Sequence, residues 1–217
     1  MGIAVILVVG SVGVWFALAS RAGPGQASAT IQSVITGARE YAVARRTSTR
    51  VVFENDLNQM NRGTAFYLEY DSDSSPGTYT WTRAEKRVVQ HLTPQVFVLK
   101  DVASGLPAAP AVASENPTDA ELSAWRTYQQ QITKALANFA FTSVDANGYL
   151  GSGAQFSSVH QKFYIQFDPT GYLAANPDNA AMTVQSALVI IQVAGRRVGD
   201  YVFYPLNPNT GTRLVFE

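Results

Sequence analysis

The residues that could do chemistry are few, and their spacing is loose. Asp71-x-Asp73-x-Ser75-x-Gly77 places oxygen ligands at alternate positions, as a calcium-binding loop does. The twelfth position of that loop is Thr82, where a bidentate acid is required, so a solvated turn is the better reading. His91 and His160 are the two histidines; they are far apart, lack HxxxH spacing and have no serine in a nucleophile-elbow context. Each reads as an ordinary strand-end histidine. Asp145-Ala146-Asn147-Gly148 and Asp168-Pro169-Thr170-Gly171 read as turns, because Asp and Asn bond their own backbone and Gly accepts a positive φ. There is no cysteine, which excludes thiol chemistry, disulfides and cysteine-held metals. No Gly-rich phosphate loop and no paired-carboxylate motif occurs. The sequence points to no enzyme, no cofactor and no metal.

Binding of nucleic acid needs clustered cations for the phosphates. Three groups qualify: Arg39, Arg45, Arg46 and Arg50 together; Arg83, Lys86 and Arg87 in a turn; and Arg196-Arg197 in another. The first group is expected to meet the negative end of a helix dipole, and the other two read as hairpin charges. Sixteen Lys and Arg balance sixteen Asp and Glu, so no bulk field attracts DNA or anionic lipid. Nucleic acid is the lesser reading.

Any such groups must be positioned by the elements around them, and the chain announces these from its first residue. MGIAVILVVGSVGVWFALAS is uncharged over twenty residues, about the length that crosses a bilayer as a helix. Ile3, Val5, Ile6, Leu7, Val8, Val9, Val12, Val14, Trp15, Phe16 and Leu18 would form its packing surface, with Gly2, Gly10, Ser11 and Gly13 as small residues between them. Ala17-Leu18-Ala19 has the small-x-small form of a signal-peptide cleavage site, though no Lys or Arg precedes the run. A simple uncleaved anchor is the third reading.

From Ala27 to Thr47 apolar residues recur at Ala27, Ile31, Val34, Ile35, Ala38, Tyr41 and Ala42, which is one stripe of a helix. Gln32, Ser33, Thr36, Arg39, Glu40 and Arg46 fall mostly off it, and Gly23-Pro24-Gly25 marks a break or kink before it. Ile31, Val34, Ile35, Ala38 and Ala42 are expected to dock this helix on a sheet. Strands are expected at 50–53, 64–70, 78–82, 87–92, 95–99, 162–167, 182–193, 200–205 and 212–216, with Gly195 and Gly199 bracketing a turn. Residues 103–114 form a Pro/Ala/Gly-rich linker. The helix after it starts at Thr118, in capping-box spacing with Glu121, and runs to about Asn138, with Leu122, Trp125, Ile132, Leu136 and Phe139 facing the core. The expected fold class is α+β: a long N-terminal helix, transmembrane over 1–20 and amphipathic over 21–48, packed on an antiparallel β-sheet head domain (49–217) with a helical insertion at about 101–160.

Three stretches resemble one family. MGIAVILVV looks like the second half of a type IV prepilin N-terminus, a family that opens with a cleavable glycine, a phenylalanine and an apolar stretch holding one glutamate. On this resemblance the leader and the glutamate lie upstream of Met1; neither they nor a Gly-Phe junction occur in the sequence. ITGAREYAVARRTSTRVVFE resembles the helix-to-first-strand passage of the GspH/FimT group of pseudopilins. Phe167-Asp168-Pro169-Thr170-Gly171-Tyr172 resembles that group's F-x-P-x-G turn, and Asn209-Thr210-Gly211-Thr212-Arg213-Leu214 its closing turn and strand. The resemblance covers roughly residues 1–56 and 160–217. It implies a methylated structural subunit of a type II secretion pseudopilus or a type IV pilus, supporting protein export or pilus assembly. It would be single-pass in the cell inner membrane with its head in the periplasm. Its partners would be other pilin-like subunits, the inner membrane, and secretion cargo or an outer-membrane secretin. The rival class is a membrane-anchored or secreted periplasmic β-rich binding protein. A DNA-binding minor pilin, using Arg83, Lys86, Arg87, Arg196 and Arg197, ranks below both.

Overall fold

A computed structural model describes residues 23–73, 78–84, 89–100, 110, 118–175, 177–184, 186–207 and 209–213. The apolar run at 1–20, with all its proposed packing residues, lies outside them. Among the described residues no helix is long and apolar enough to cross a membrane.

The first helix, α1, spans Pro24–Arg45. Gly23-Pro24-Gly25 is its start: Gly23 is the N-cap, and Pro24 occupies the first turn, where its missing N–H costs nothing. Arg46 closes the helix in the left-handed region (φ 53°), donating its N–H to the Ala42 carbonyl. Ala27, Ile31, Ile35, Ala38 and Ala42 are buried, while Val34 and Tyr41 flank them half-buried. Burying Ile31 and Ile35 stabilises the docking by roughly 2 kcal/mol apiece.

The stripe lies against two antiparallel sheets. The first comprises β1 (Thr49–Glu54), β2 (Ala65–Asp71), β3 (Trp81–Arg83), β4 (Gln90–His91) and, from later in the chain, β6 (Lys162–Phe167), in the order β3-β2-β1-β6 with β4 also on β2. Phe53 sits opposite Phe66 on one side and Phe163 on the other. The alternation of β1 turns Val51 and Phe53 to α1, and Arg50, Val52 and Glu54 to the outer face. The second sheet is β5 (Val96–Lys100), β7 (Ala187–Ala194) and β8 (Arg197–Pro205), with β7 central. One face, with Val98, Leu188, Ile190 and Tyr204, joins the core around α1. Over the other lies α2 (Asp119–Ala140), whose Trp125, Tyr128 and Ile132 pack with Phe97, Val189, Ile191 and Phe203. Covered on both faces, β7 reads Ala-Leu-Val-Ile-Ile without alternation. The fold is thus α+β, with a helix packed against antiparallel sheets.

Several expectations are corrected here. Of the strand expected at 182–193, only 187 onward is a strand; Thr183 makes an isolated bridge to Tyr164. The turn before β8 is Gly195-Arg196, both at positive φ (56° and 67°), as a tight hairpin requires, and Gly199 lies inside β8. Of the strand expected at 87–92, Gln90–His91 is strand, Val89 and Leu92 are not, and 87–88 lie outside the described residues; that at 78–82 is reduced to Trp81–Arg83. At the chain's end a bridge joins Leu206 to Arg213, and residues 214–217 fall outside the description. The helix of the insertion begins with the expected reciprocal box: the Glu121 N–H bonds Thr118 Oγ1, and the Thr118 N–H bonds Glu121 Oε2. Leu122 is only half-buried, Tyr128 takes a core place not foreseen, and nothing is described of the Leu136 and Phe139 side chains.

A buried polar joint ties the sheets together. Asn55, just after β1, donates from Nδ2 to the carbonyls of Val98 (2.6 Å) and His160 (2.7 Å). Thr64, just before β2, donates its hydroxyl to Asn55 Oδ1 and accepts the Val98 N–H at 2.8 Å. Gly63 is packed so tightly that a Cβ would lie 2.4 Å from the Thr93 carbonyl oxygen and 2.6 Å from that of Val96, at φ +62°. Gly63→Ala is therefore expected to cost at least about 2 kcal/mol in denaturant unfolding. Thr64→Val keeps the shape but strands the Val98 N–H, and is expected to cost about 1–3 kcal/mol. Wild-type stability in either variant would refute the joint's role.

Candidate functional site

The helix-docking face gathers residues from distant parts of the chain. The turn after β6 lies on α1: Arg39 Nε donates to the Gly171 carbonyl at 3.1 Å. Asp168 Oδ1 accepts from the N–H groups of Thr170 (2.8 Å) and Tyr172 (3.2 Å), and Gly171 takes φ +84°. A Cβ at Gly171 would meet Val43 Cγ2 at 2.7 Å, so glycine lets the turn close on the helix. The closing turn is built alike, with Asn207 Oδ1 accepting from Asn209 (2.9 Å) and Thr210 (3.2 Å). It sits beside the first turn: the Leu173 N–H bonds the Asn209 carbonyl at 3.0 Å, and Gly211 backs on to Phe167 and Leu173. The structure thus brings together two stretches that the sequence singled out separately.

Gln32 was expected to lie off the docking stripe, yet it is part of the dock. Its Oε1 accepts the Tyr204 hydroxyl and, at 3.1 Å, the Arg213 N–H. Burial pushes the Tyr204 hydroxyl's pKa above its usual value, which keeps it a donor. Thr49, fully buried, donates to the Ala38 carbonyl at 3.0 Å. Nothing in the periodicity marks these polar residues, because each lies at the border of an apolar stripe.

The outer face of the first sheet carries charge and aromatic rings. The Arg50 guanidinium lies between the Trp81 ring (4.2 Å) and the Tyr164 ring (4.6 Å), and pairs with Glu69 (2.7 Å) and Asp178 (3.4 Å). Tyr79 stacks on Trp81 with centroids 5.2 Å apart. At the sheet's other end Lys162 Nζ pairs with Glu54 at 2.7 Å, and the Tyr67 hydroxyl donates to the same carboxylate at 2.8 Å. Burial would raise the Glu54 carboxyl, but bonds from Lys162 and Tyr67 hold it below the usual range. Burial and the Glu54 bond push Tyr67 up; Lys162 is raised by its bonds to both, against burial. Each group is held more firmly in its ordinary charge state, the opposite of what a general base or nucleophile needs.

Of the candidate nucleic-acid contacts, the described ones, Arg83, Arg196 and Arg197, are engaged within the fold. Arg83 lies 4.1 Å over the Tyr67 ring and Arg197 5.6 Å from that of Tyr149. Arg196 donates to the carbonyls of Leu150 and Gly151; Lys86 and Arg87 lie outside the described residues. The first cationic group does not converge on the helix end: Arg46 caps α1, Arg45 sits over Tyr41, Arg39 bonds the turn, and Arg50 is on β1. In the suggested calcium loop, Asp71 Oδ1 accepts from Asp73 (3.2 Å) and Thr80 (2.8 Å), while Ser75 and Gly77 lie outside the description. No cluster of potential metal ligands occurs among the described residues. His91 ends β4 and is exposed; His160 closes α3, the short helix Ser158–Gln161, and is buried, so it is no strand-end residue. An open cleft of about 520 Å³ lies between α2 and β8, lined by Gln129, Gly199, Asp200, Tyr201, Phe203 and Arg213 among others. Its arginine is bonded to Ser28 Oγ at 3.4 Å.

No known family model matches the chain, and neither does any curated protein or solved structure.

Gly171→Ala forces a side chain into Val43 at a left-handed φ. It is expected to lower stability by about 1–3 kcal/mol and loosen the 167–172 turn from α1, which amide exchange across 168–173 would read. Arg50→Met removes the cation between two carboxylates and is expected to cost about 1–3 kcal/mol, less at high salt; a salt-independent loss would refute the ionic part of that role.

Proposed function

We propose that the chain is a pseudopilin-type structural subunit of a type II secretion pseudopilus or a type IV pilus, held in the inner membrane with its head in the periplasm. The observation that carries this reading is α1. It follows an uncharged apolar run of twenty residues and presents a stripe of Ala27, Ile31, Ile35, Ala38 and Ala42 to antiparallel sheets. A subunit of this kind works mechanically. The apolar segment packs with its copies and the bilayer, and the helix that continues from it carries the head. Two further features support the reading: the turns at 167–172 and 207–213 both close on the helix or its neighbours, and the ionisable clusters are held in their ordinary charge states. Partners would be other pilin-like subunits, with cargo or a secretin at the filament's end.

The test is the N-terminal peptide of the native, membrane-extracted protein, identified by mass spectrometry. An N-methylated first residue upstream of Met1 is expected. A mature start at Ser20 or Arg21 would sink the reading in favour of a secreted domain, and an unmethylated start at Met1 would leave a simple anchor.

A further inference from the structure

An internal carboxylate sits on the outer face of the first sheet, over a set of donors that it fills poorly. Segments on either side of it run along β6, through the Ala174 N–H to the Gln166 carbonyl (2.9 Å) and the Val184 N–H to the Tyr164 carbonyl (2.9 Å). Between them Asp178 reaches over the sheet as far as β3: its Oδ2 accepts from Trp81 Nε1 at 3.0 Å and from the Arg50 guanidinium at 3.4 Å. Both bonds fall on one oxygen, and the second is long for a charge-assisted pair; Glu69 meets the same guanidinium at 2.7 Å. Gln166 lies in register with Arg50 and is 0% exposed. Its Oε1 accepts the Asp178 N–H at 3.0 Å, and its Nε2 has no hydrogen-bond partner among the described residues. We infer that Arg50, Trp81 and Gln166 form a docking site for an acidic side chain of a partner protein, and that Asp178 occupies it in the free chain.

The donor set suits a carboxylate. The Trp81 and Tyr164 rings, 4.2 and 4.6 Å from the guanidinium, hold it in place, and its planar fork matches two oxygens better than one. The indole N–H and the carboxamide N–H add donors that an acid accepts and a cation does not. A buried donor without an acceptor is costly, so Gln166 favours an occupant that brings one. The exchange is also charge for charge. With Glu69 already on Arg50, the corner holds the same net charge whether its second carboxylate is internal or a partner's. Release asks little of the fold. The Asp178 side chain is 39% exposed, and the next residue, Asn179, stays tied to the Tyr164 hydroxyl at 3.2 Å, so only the Asp178 end needs to lift.

The experiment follows the Trp81 indole N–H resonance of the isotope-labelled full chain in detergent micelles, assigned by its loss in Trp81→Phe. The probe is N-acetyl-aspartyl-amide, titrated at constant ionic strength. In Asp178→Ala the resonance is expected to shift saturably, with half-saturation at a concentration at least about tenfold below that of the wild type, because the internal competitor is gone. Asp178→Asn keeps the size of the side chain and serves if the first variant does not fold. In either background, Arg50→Lys and Gln166→Met are each expected to weaken binding several-fold, the first by losing the fork and the second by losing the buried donor. No saturable shift in either Asp178 variant, or equal half-saturation in the variants and the wild type, would overturn the proposal. So would an equal shift with the uncharged N-acetyl-asparaginyl-amide, or binding indifferent to both Arg50→Lys and Gln166→Met. Tighter binding of inorganic phosphate than of the aspartyl probe would overturn it in favour of a phosphate site.

Discussion

Everything in this fold hangs on one side chain reaching in three directions. Asn55 uses both hydrogens of its amide on carbonyls of different elements and its oxygen on a hydroxyl of a third. Two sheets that share a helix must come together somewhere, and at that place strand ends bring backbone groups into the dry interior. A buried amide or carbonyl without a partner costs several times what a made bond gains. Asn55 and Thr64 supply those partners at a point where no strand ladder does. Gly63 exists to let the chain pass close enough for them to do so.

From that joint the layers follow. The first sheet turns one face to α1, and on the other long charged side chains lie over a small cluster of Val52, Tyr67 and Tyr164. Arg50 spreads over Trp81 and Tyr164 while its ends meet Glu69 and Asp178. The second sheet is treated differently, because α2 covers what would be its wet face. Trp125, Tyr128 and Ile132 are buried almost as deeply as the strand residues they meet. The stretch that separates β5 from β6 in sequence is thus no decoration: it supplies half of the second core, including Phe141 and Phe156.

Where periodicity was strong, the sequence was read correctly: the stripe of α1, the capping box of α2, and the strand from Lys162 to Phe167. The Asp-x-x-Gly turns at 145–148 and 168–171 were legible too, because glycine at positive φ and an aspartate three residues ahead leave a local signature. Reading failed where tertiary context decides. An apolar run such as 182–193 has no period to mark where pairing begins. Gln32, Thr49 and Asn55 look like surface residues until the elements they bridge are placed. The cations looked like clusters in the sequence, but alternation along β1 and the winding of α1 send Arg39, Arg45, Arg46 and Arg50 to separate places. Arg196 was a turn residue by position alone, since an arginine at φ 67° is not something composition suggests.

The docking of α1 has a consequence for the way the chain is made. Its partners arrive late: Arg39 meets Gly171 132 positions on, and Gln32 meets Arg213 181 positions on. At synthesis rates of roughly 5–20 residues per second, the helix waits on the order of ten seconds or more for the strands that cover it. Through that interval the early strands β1, β2 and β5 are at hand, and the rest of the cover over Ile31 and Ile35 is still to be made. A chain cut short of Leu206 never closes this core, whatever else it contains. The apolar stripe of the helix is therefore sealed only once the segment from Tyr204 to Arg213 has joined it.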